Sequence, residues 1–381
     1  PTYKRCGGCN LRHIQYEETL KMKQNAVQSL VNKTLKNKIQ VDKTIGMDKP
    51  YHYRNKAQYP LGIDKNGDPV IGVFANRTHE VIPMENCFIQ NPQSEEIAKY
   101  VLQFIKQNNI SIYNEETQKG LFRHIVIKVG LKTNEIMCIF VINGKDIPKE
   151  NELKSALVQK FPNIKTIVKN INTKNTNVIL GEQNINIFGN GYIEDILGEY
   201  RFKISPLSFF QVNPIQAEKL YNIGVEAANI SKDDVVFDLY CGISTISLFM
   251  AKFAKKVYGI EIVKEAVEMA KENAKNNHIE NAEFFDGDVE VVLEDMIHNK
   301  KIIPDIVMFD PPRKGLDKKS IHNILKIKPK KIVYISCNPA TLIRDLSDFE
   351  DLYEIKSITP VDMFPFTSHV ECVAVLELKN F

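Results

Sequence analysis

The second half of the chain alternates short apolar runs with segments of helical spacing, and each apolar run leads into an acidic residue. These acidic residues are Asp238, Glu261, Asp288 and Asp310. Continuous apolar runs of this length indicate strands that are buried on both faces, and their alternation with helices indicates a parallel sheet. The carboxyl ends of parallel strands meet at one edge of such a sheet, where ligands bind. The pattern therefore predicts a doubly wound α/β domain with an acidic ligand site at that edge.

The first two of these strands indicate which ligand the site takes. A tight turn with one glycine, Gly242, follows Asp238 and leads into a helix, and Glu261 ends the next strand. An acidic residue about twenty positions after the first strand end binds ribose hydroxyls in nucleotide-binding sheets. A single glycine does not form a cradle for a pyrophosphate, so a nucleoside without phosphates fits better. S-adenosylmethionine is such a ligand, and Asp288, after the third strand, offers an acceptor for its adenine ring.

A thiol and a carboxylate follow in the last fifty residues. Cys337 comes directly after an apolar run at residues 332–335 and before a helix, and Glu371 enters the last apolar strand. This places a candidate nucleophile at a strand end, with a candidate base after it. Arg313 or Arg344 would be the cation that helps to form the thiolate. The alternatives are structural: Cys337 as a small residue at a strand end, and Glu371 as a surface carboxylate.

The first fifty residues differ from the rest in charge and in cysteine spacing. They carry ten Lys and Arg against four Asp and Glu, whereas the whole chain has a net charge of only +3. A basic end suggests contact with a polyanion, although a solvated lysine-rich surface explains the charge equally well. Cys6 and Cys9 form a C-x-x-C turn, which is half of a zinc or iron–sulfur site, and Cys87 is the candidate third ligand. The alternative is three unligated surface cysteines.

The segment between the first fifty residues and the alternating α/β region shows a third pattern. From residue 50 to residue 200, short strand-like runs separated by Asn, Gly and Lys turns predict an α+β middle domain. Five basic side chains in it are candidate phosphate contacts, although ordinary surface charge is the simpler explanation for each one alone: Arg54, Lys56, Arg77, Arg123 and Lys128. A segment with two phenylalanines and Gln211 precedes the next helix, and it is suited to bracketing a flat aromatic group. The expected domains are 1–49, 50–200 and 201–381.

Two general features exclude whole classes of protein. The chain has no run of about 18 apolar residues, so it is not expected to span a membrane. Its cysteines number seven and no secretory signal opens the chain, so a disulfide framework is not expected and the cytoplasm is the expected compartment. The chain begins with Pro1, from which we expect that an N-terminal piece has been removed.

Six motifs, taken together, resemble one enzyme family. They are Cys-Gly-Gly-Cys at 6–9, Ser-Phe-Phe-Gln-Val-Asn at 208–213, Asp-Leu-Tyr-Cys-Gly at 238–242, Phe-Asp-Pro-Pro-Arg at 309–313, Ser-Cys-Asn-Pro at 336–339 and His-Val-Glu at 369–371. In these motifs the chain closely resembles the RNA uracil-C5 methyltransferases. The resemblance implies a Rossmann-like S-adenosylmethionine-dependent methyltransferase domain with a doubly wound sheet, an α+β central domain that binds RNA, and an N-terminal Cys-cluster segment.

The resemblance also implies roles for single residues. Cys337 would be the nucleophile that adds to the uracil ring, and Glu371 would be the base that removes the C5 proton. The residues implied for cofactor binding are Gln211, Tyr240, Glu261 and Asp310, with Thr245 and Asp288 as secondary contacts. Cys6, Cys9 and Cys87 resemble three of the four ligands of a 4Fe-4S cluster, whose fourth cysteine would precede Cys6. Ser244 is a departure, because family members usually carry Gly or another small residue there.

The Cys-Gly-Gly-Cys turn favours 23S ribosomal RNA as the substrate, because enzymes of the transfer-RNA branch generally lack the cluster. The expected product is 5-methyluridine, made by a monomer that binds RNA and neither DNA nor a membrane. Two alternatives stay open: a transfer-RNA uracil-C5 methyltransferase, and a catalytically idle RNA-binding or ribosome-assembly factor. An amine-directed methyltransferase is disfavoured, because Arg313 and not an aromatic residue follows the Pro-Pro pair. A cytosine-C5 enzyme is disfavoured, because it usually pairs a second cysteine with the nucleophile.

Overall fold

The computed structural model describes residues 5–75 and 78–380. Its helices, in chain order, are α1 (Tyr16–Thr34), α2 (Pro92–Gln107), α3 (Glu150–Lys160), α4 (Pro214–Ala228), α5 (Thr245–Ala251), α6 (Lys264–Asn276), α7 (Val289–His298), α8 (Lys318–Ile327) and α9 (Pro339–Phe349). Its strands, in chain order, are β1 (Lys56–Ile63), β2 (Pro69–Phe74), β3 (Val81–Pro83), β4 (Phe122–Val129), β5 (Ile136–Ile142), β6 (Ile164–Ile171), β7 (Gln183–Phe188), β8 (Ile193–Leu197), β9 (Tyr200–Ile204), β10 (Val235–Leu239), β11 (Lys256–Glu261), β12 (Ala282–Asp286), β13 (Ile306–Phe309), β14 (Lys331–Ser336), β15 (Tyr353–Val361) and β16 (Glu371–Leu378). Along these described parts of the chain, no helix has the length and apolar character that a membrane span requires.

These elements form two units. Unit 1 contains the described residues up to Asn10 together with Pro50–Ile196 and Phe202–Pro214, and unit 2 contains Leu11–Lys49, Leu197–Arg201 and the described residues from Ile215 onward. The division differs from the three ranges expected from the sequence in two places. Residues 11–49 belong to the same unit as the C-terminal part, and residues 202–214 belong to unit 1.

Unit 1 is built on a sheet with the strand order β3-β2-β1-β4-β5-β6-β7. Neighbouring strands are antiparallel, except for the parallel pair β5–β6, which α3 connects. Every residue of β4 and β5 is buried, as their β-branched and aromatic composition favours. Helix α2 begins where the Asn91 side chain accepts a hydrogen bond from the Gln93 N–H at 2.9 Å. The α+β fold expected for this part of the chain is confirmed.

Unit 2 is built on a sheet with the strand order β12-β11-β10-β13-β14-β16-β15. Strands β10 to β14 run parallel, whereas β16 runs antiparallel to both β14 and β15. The order reverses between β10 and β13, and the carboxyl ends of two such strands form the switch point where ligands bind. The prediction of a doubly wound, Rossmann-like α/β domain is confirmed.

Helices cover both faces of this sheet. On one face, Val307 and Tyr334 share a core with side chains from α1, α7, α8 and α9. On the other face, a methyl group at Gly224 of α4 would lie 3.5 Å from the side chains of Met308 and Val333. Because consecutive residues of a strand point to opposite faces, these strands must be apolar at every position. This explains the continuous apolar runs in the sequence.

Helix α1 is fixed to unit 2 by a core contact and by a buried ion pair. Val27 and Val31 are fully buried in the core that α9 also lines. Lys23 Nζ lies 2.5 Å from Asp362 Oδ1, and the two side chains are 2% and 0% exposed. The Tyr16 hydroxyl donates to Asp362 Oδ2 at 2.8 Å. Both oxygens of the carboxylate therefore have partners, which a buried charge requires.

Two of the five candidate phosphate contacts lie inside unit 1. Arg123 is 3% exposed and donates to two backbone carbonyl oxygens of the segment after β6, at 3.0 and 2.9 Å. Lys128 is 5% exposed and donates to two backbone carbonyl oxygens of the segment between β9 and α4, at 2.8 and 3.0 Å. For these two residues the expectation of a phosphate contact is wrong, because both side chains are buried and their hydrogen bonds go to backbone carbonyl oxygens. Arg54 and Lys56 are partly exposed, and Arg77 lies outside the described residues.

We predict that Lys23→Met lowers the free energy of unfolding by about 3–5 kcal/mol, because it leaves the Asp362 carboxylate buried without its cation. The matched control is Lys21→Met on the same helix, whose exposed pair with Glu18 is screened by solvent and contributes little to stability. Urea titration followed by circular dichroism measures both variants. Equal losses of stability in the two variants would contradict the assignment of Lys23 as the structural cation.

Candidate active site

Cys337 and Glu371 lie side by side at the ends of two paired strands. Strands β14 and β16 are antiparallel, and Ser336 pairs with Cys372 at the end of the ladder. The next position on each strand is Cys337 and Glu371, so the register places the thiol and the carboxylate opposite each other. Cys337 is partly exposed, whereas Glu371 is only 4% exposed. The structure thus brings together the two residues predicted as nucleophile and base.

The carboxyl group of Glu371 is buried and lies near a second carboxyl group, that of Asp310. Its Oε2 atom is buried and has no hydrogen-bond partner among the described residues. Burial raises the pKa of Glu371, the charge of Asp310 raises it further, and the charge of Arg313 opposes this rise. A carboxyl group with a raised pKa exchanges its proton closer to neutral pH, which suits a general base.

Arg313 is the cation that acts on the Cys337 thiol. Burial raises the pKa of Cys337 and two neighbouring carboxylates raise it further, whereas Arg313 lowers it through its charge and a side-chain hydrogen bond. Arg344 binds Asp345 instead, with Nε and Nη2 at 2.8 and 2.6 Å from the same carboxylate oxygen. The thiol also lies just before α9, where the helix N-terminus favours a thiolate.

The loop that carries Arg313 is fastened to the first turn of α9. The Asn338 side-chain amide donates to the Arg313 carbonyl oxygen at 3.1 Å. The buried Asp345 carboxylate accepts hydrogen bonds from the Tyr334 hydroxyl at 2.7 Å and from the Leu316 N–H at 2.9 Å. Neither Asp345 nor Asn338 is predicted from the sequence, although an Asn directly before Pro at a helix start is a known cap signal. These side chains position the cation next to the thiol.

The turn between β10 and α5 leaves space for a ligand. Gly242 has a φ of 55°, and a Cβ built on it would meet no described atom within 4 Å. Glu261, at the end of β11, accepts hydrogen bonds from the N–H groups of Gly242 at 3.1 Å and Val263 at 2.9 Å. Each carboxylate oxygen keeps a further lone pair, so Glu261 is still able to accept hydrogen bonds from ribose hydroxyls. The open turn and this carboxylate fit the nucleoside part of S-adenosylmethionine.

Two carboxyl groups lie at the switch point of the sheet, the buried Asp238 and the partly exposed Asp310. Asp238 is 1% exposed, the Ser247 hydroxyl donates to its Oδ2, and its Oδ1 has no partner in the part of the chain that the structure describes. Burial raises the pKa of Asp238 to about 7, against the hydrogen bond from Ser247. Burial also raises the pKa of Asp310. The sequence predicts Asp238 only as one of four acids at the ligand edge, without a role of its own, and its unpartnered oxygen is a signal that only the structure supplies.

The remaining cofactor candidates have different surroundings. Tyr240 has a φ of 66° in the turn after β10, and the Thr245 hydroxyl at the start of α5 lies 3.4 Å from that of Tyr221. Asp288 is exposed and caps α7, where its Oδ1 accepts a hydrogen bond from a backbone N–H at 3.0 Å. Gln211 is 6% exposed and belongs to unit 1. The other five candidates all follow or end strands of the unit 2 sheet: Tyr240, Thr245, Glu261, Asp288 and Asp310.

The three cysteines expected to hold a cluster are not assembled as a ligand group. Cys6 forms a β-bridge with Ala75, and the Cys87 N–H donates to the Glu95 carboxylate at 2.9 Å. Burial raises the pKa of Cys87, and the charge of Cys6 adds to this, so these two thiols lie near each other. Across residues 5–75 and 78–380, however, no three His, Cys, Asp or Glu side chains are placed to hold a metal ion. The described residues therefore give no support to the expected cluster, and Cys6, Cys9 and Cys87 stay predicted ligands.

The chain is similar to known RNA methyltransferases along almost its whole length. A family model described as tRNA (Uracil-5-)-methyltransferase matches residues 15–379. An uncharacterized RNA methyltransferase of Clostridium acetobutylicum is 47% identical over 379 residues, which cover 98% of this chain and 82% of that protein. One of Staphylococcus aureus (strain COL) is 45% identical over 378 residues, which cover 99% and 83%. The solved structure of Pyrococcus abyssi tRNA (uracil-54, C5)-methyltransferase in complex with S-adenosyl-L-homocysteine has a TM-score of 0.79 and 27% identity, and the match covers 97% of this chain and 85% of that chain.

We predict that Arg313→Gln slows alkylation of Cys337 at neutral pH several-fold, because loss of the cation raises the pKa of the thiol further and leaves less thiolate. Iodoacetamide labelling, followed by mass spectrometry of the peptide that contains Cys337, measures the rate. Lys314→Gln is the control, because it removes a positive charge from an exposed position of the same loop and should leave the rate nearly unchanged. An unaltered rate in Arg313→Gln would show that another group stabilises the thiolate.

Proposed function

The chain belongs to the tRNA (uracil-5-)-methyltransferase family, and from that premise we propose that it methylates C5 of uracil in RNA, with S-adenosylmethionine as the methyl donor. The observation that carries the proposal is the position of Cys337 opposite Glu371 across β14 and β16. Methylation at C5 requires a nucleophile for C6 and a base for the C5 proton, and these two side chains supply both.

In the proposed reaction Cys337 first activates the uracil ring. Its thiolate forms a bond to C6, and the electron pair of the C5–C6 double bond shifts so that C5 becomes nucleophilic. Bound S-adenosylmethionine supplies the electrophilic methyl group that C5 takes up. Arg313 stabilises the thiolate before it attacks, through the contacts described above.

Glu371 then completes the reaction. After methyl transfer C5 carries both the methyl group and its original proton, and the Glu371 carboxylate takes that proton. The electron pair of the C5–H bond re-forms the C5–C6 double bond, the C6–S bond breaks, and its electron pair returns to Cys337. We assign the proton to Oε2, the buried atom that has no partner in the described part of the chain.

We further propose that the carboxyl ends of β10 to β13 hold the cofactor. Glu261 would accept hydrogen bonds from the ribose hydroxyls, and Asp288 would accept from the adenine amine. Tyr240, Thr245 and Asp310 would complete the set from unit 2, and Gln211 is the further cofactor residue that the family resemblance implies. The open turn at Gly242 and the free lone pairs of Glu261 support this assignment.

We propose 23S ribosomal RNA as the substrate, with transfer RNA as the second candidate. The Cys-Gly-Gly-Cys turn favours ribosomal RNA through its resemblance to that branch. The similar Pyrococcus abyssi enzyme, by its name, acts on uracil 54 of transfer RNA. The basic first fifty residues suit either substrate, because both are polyanions.

We predict that the protein forms a denaturation-resistant adduct with 5-fluorouracil-substituted RNA when S-adenosylmethionine is present. Fluorine at C5 cannot be removed as a proton, so the bond between Cys337 and C6 persists. Denaturing electrophoresis with 23S rRNA fragments and transfer RNA in parallel detects the adduct and separates the two substrates.

Two variants control this experiment. Cys337→Ala should abolish the adduct, whereas Cys138→Ala, which removes a fully buried thiol of unit 1, should retain it. An adduct that persists in Cys337→Ala would overturn the assignment of the nucleophile. An adduct with transfer RNA alone would reject ribosomal RNA as the substrate.

The rate at which free 5-methyluridine is formed should rise with pH from mildly acidic to mildly alkaline conditions. Both Glu371 and Cys337 have raised pKa values, and both act in their deprotonated forms, which become more populated as pH rises. Single-turnover methylation measured across this range tests the prediction, and Arg313→Gln should move the profile to higher pH. A rate that falls with rising pH would contradict these roles.

A further inference from the structure

Unit 1 contains a cavity that the proposed reaction does not use. Its volume is about 490 Å³, within the rough range of 300–1,000 Å³ that is typical of small-molecule sites. Its lining combines aromatic and polar side chains, among them Phe74, His79, Glu115, His124, Thr176 and Asn177. The cavity therefore lies among β2, β4 and the segments that precede β4 and follow β6.

Three rings give the cavity flat surfaces. The centroid of the Phe74 ring is 5.5 Å from that of His79 and 6.1 Å from that of His124. The interplanar angles are 47° and 85°, so the rings meet tilted or edge to face and do not stack on one another. Rings in such arrangements make both stacking and edge contacts with a further aromatic group. A flat aromatic ligand is the class that fits this lining.

His124 supplies a buried hydrogen-bonding atom. The residue is 5% exposed, and its Nδ1 has no partner among the described residues. Burial lowers the pKa of His124 to about 4, so the ring is neutral near pH 7 and one ring nitrogen donates while the other accepts. A buried polar atom without a partner costs free energy, and the polar edge of a ligand would remove that cost.

Arg123 holds two walls of the cavity in place. Its Nη2 lies 3.3 Å from Glu115 Oε1, and its Nη1 donates to the carbonyl oxygens of Asn172 and Lys174 at 3.0 and 2.9 Å. The guanidinium group also lies 4.3 Å from the centroid of the Tyr113 ring. One buried cation thus connects the segment before β4 to the segment after β6. A cavity fixed in this way is preorganised for a ligand.

We propose that this cavity binds an unpaired RNA base that carries an exocyclic amine. The Glu115 carboxylate only accepts hydrogen bonds, so it favours the amine of adenine, cytosine or guanine over the carbonyl oxygens of uracil. Arg123 already binds a carboxylate and two carbonyl oxygens, and none of the described lining residues offers a free positive charge to a phosphate. The inference rests on the RNA substrate of the proposed function, and it concerns a base other than the uracil that is methylated.

Binding of fluorescent RNA hexamers to the full chain tests this inference. Anisotropy titrations with oligo(A), oligo(C) and oligo(U) are made at one ionic strength, because phosphate contacts depend on salt. Saturating S-adenosylhomocysteine keeps adenine out of the cofactor site. Phe74→Ala should weaken binding of oligo(A) and oligo(C) by roughly 5- to 100-fold, the effect of one lost stack between a base and an aromatic ring. Binding of oligo(U) should stay unchanged, which also shows that the variant is folded.

Phe88→Ala is the matched control, because it removes a 41% exposed ring of unit 1 that does not line the cavity. It should leave the affinity for all three hexamers unchanged. Equal weakening of the three hexamers by Phe74→Ala, or no weakening of any, would overturn the proposal. Neither outcome involves Cys337, so covalent trapping on uracil would still succeed if only this inference fails. If the proposed methylation fails instead, the base-selective loss in Phe74→Ala would still be observed.

Discussion

The antiparallel pairing of β14 with β16 sets the chemistry of unit 2, because one ladder holds both reacting groups. Cys337 and Glu371 are separated in sequence by α9 and β15, yet the register leaves them opposite each other. A slip of one residue would turn each side chain to the other face of the sheet. Five consecutive residues of β14 and six of β16 are buried, so a slip would have to repack the close-packed core on both faces of the sheet. The hydrophobic core therefore determines the geometry of the site.

Three carboxyl groups lie at the edge of the unit 2 sheet where its parallel strands end. Asp238, Asp310 and Glu371 all have raised pKa values, chiefly because they are buried. Each group keeps its proton to a higher pH in the folded state than in the unfolded chain. The folded state thus binds more protons in that window, so the free energy of unfolding falls as pH rises, from about 4 to about 7 for Asp238. Carboxyl groups with raised pKa values are thus obtained at a cost in stability, as is common at functional sites.

The sheet of unit 2 was predictable from the sequence, whereas the partners of buried charges were not. Strands buried on both faces must be apolar throughout, so their positions and the acids at their ends follow from the pattern. No feature of the local sequence indicates that β16 lies between β14 and β15 in the sheet. The pairing of Cys337 with Glu371 was therefore implied only by the family resemblance, and the roles of the two residues stay predictions. Arg and Lys side chains are usually exposed, so Arg123 and Lys128 were expected at the surface. Only the structure shows that they are buried and donate hydrogen bonds to backbone carbonyl oxygens far along the chain. The ligand group of cysteines was inferred from spacing, which does not determine how separate segments meet.

Unit 2 is assembled from both ends of the chain, and this has a consequence for synthesis on the ribosome. Lys23 and Asp362 are 339 positions apart, and α9, which shares the core of α1, is also made late. The chain of unit 1 is complete once Pro214 has been added, long before that core can close. In a nascent chain, α1 therefore exposes the apolar side chains of Val27 and Val31 to solvent. Chaperones recognise exposed apolar surface of this kind. A product that stops before α9 lacks both of these partners, α9 and Asp362, so α1 stays exposed until residues more than 300 positions later have been made.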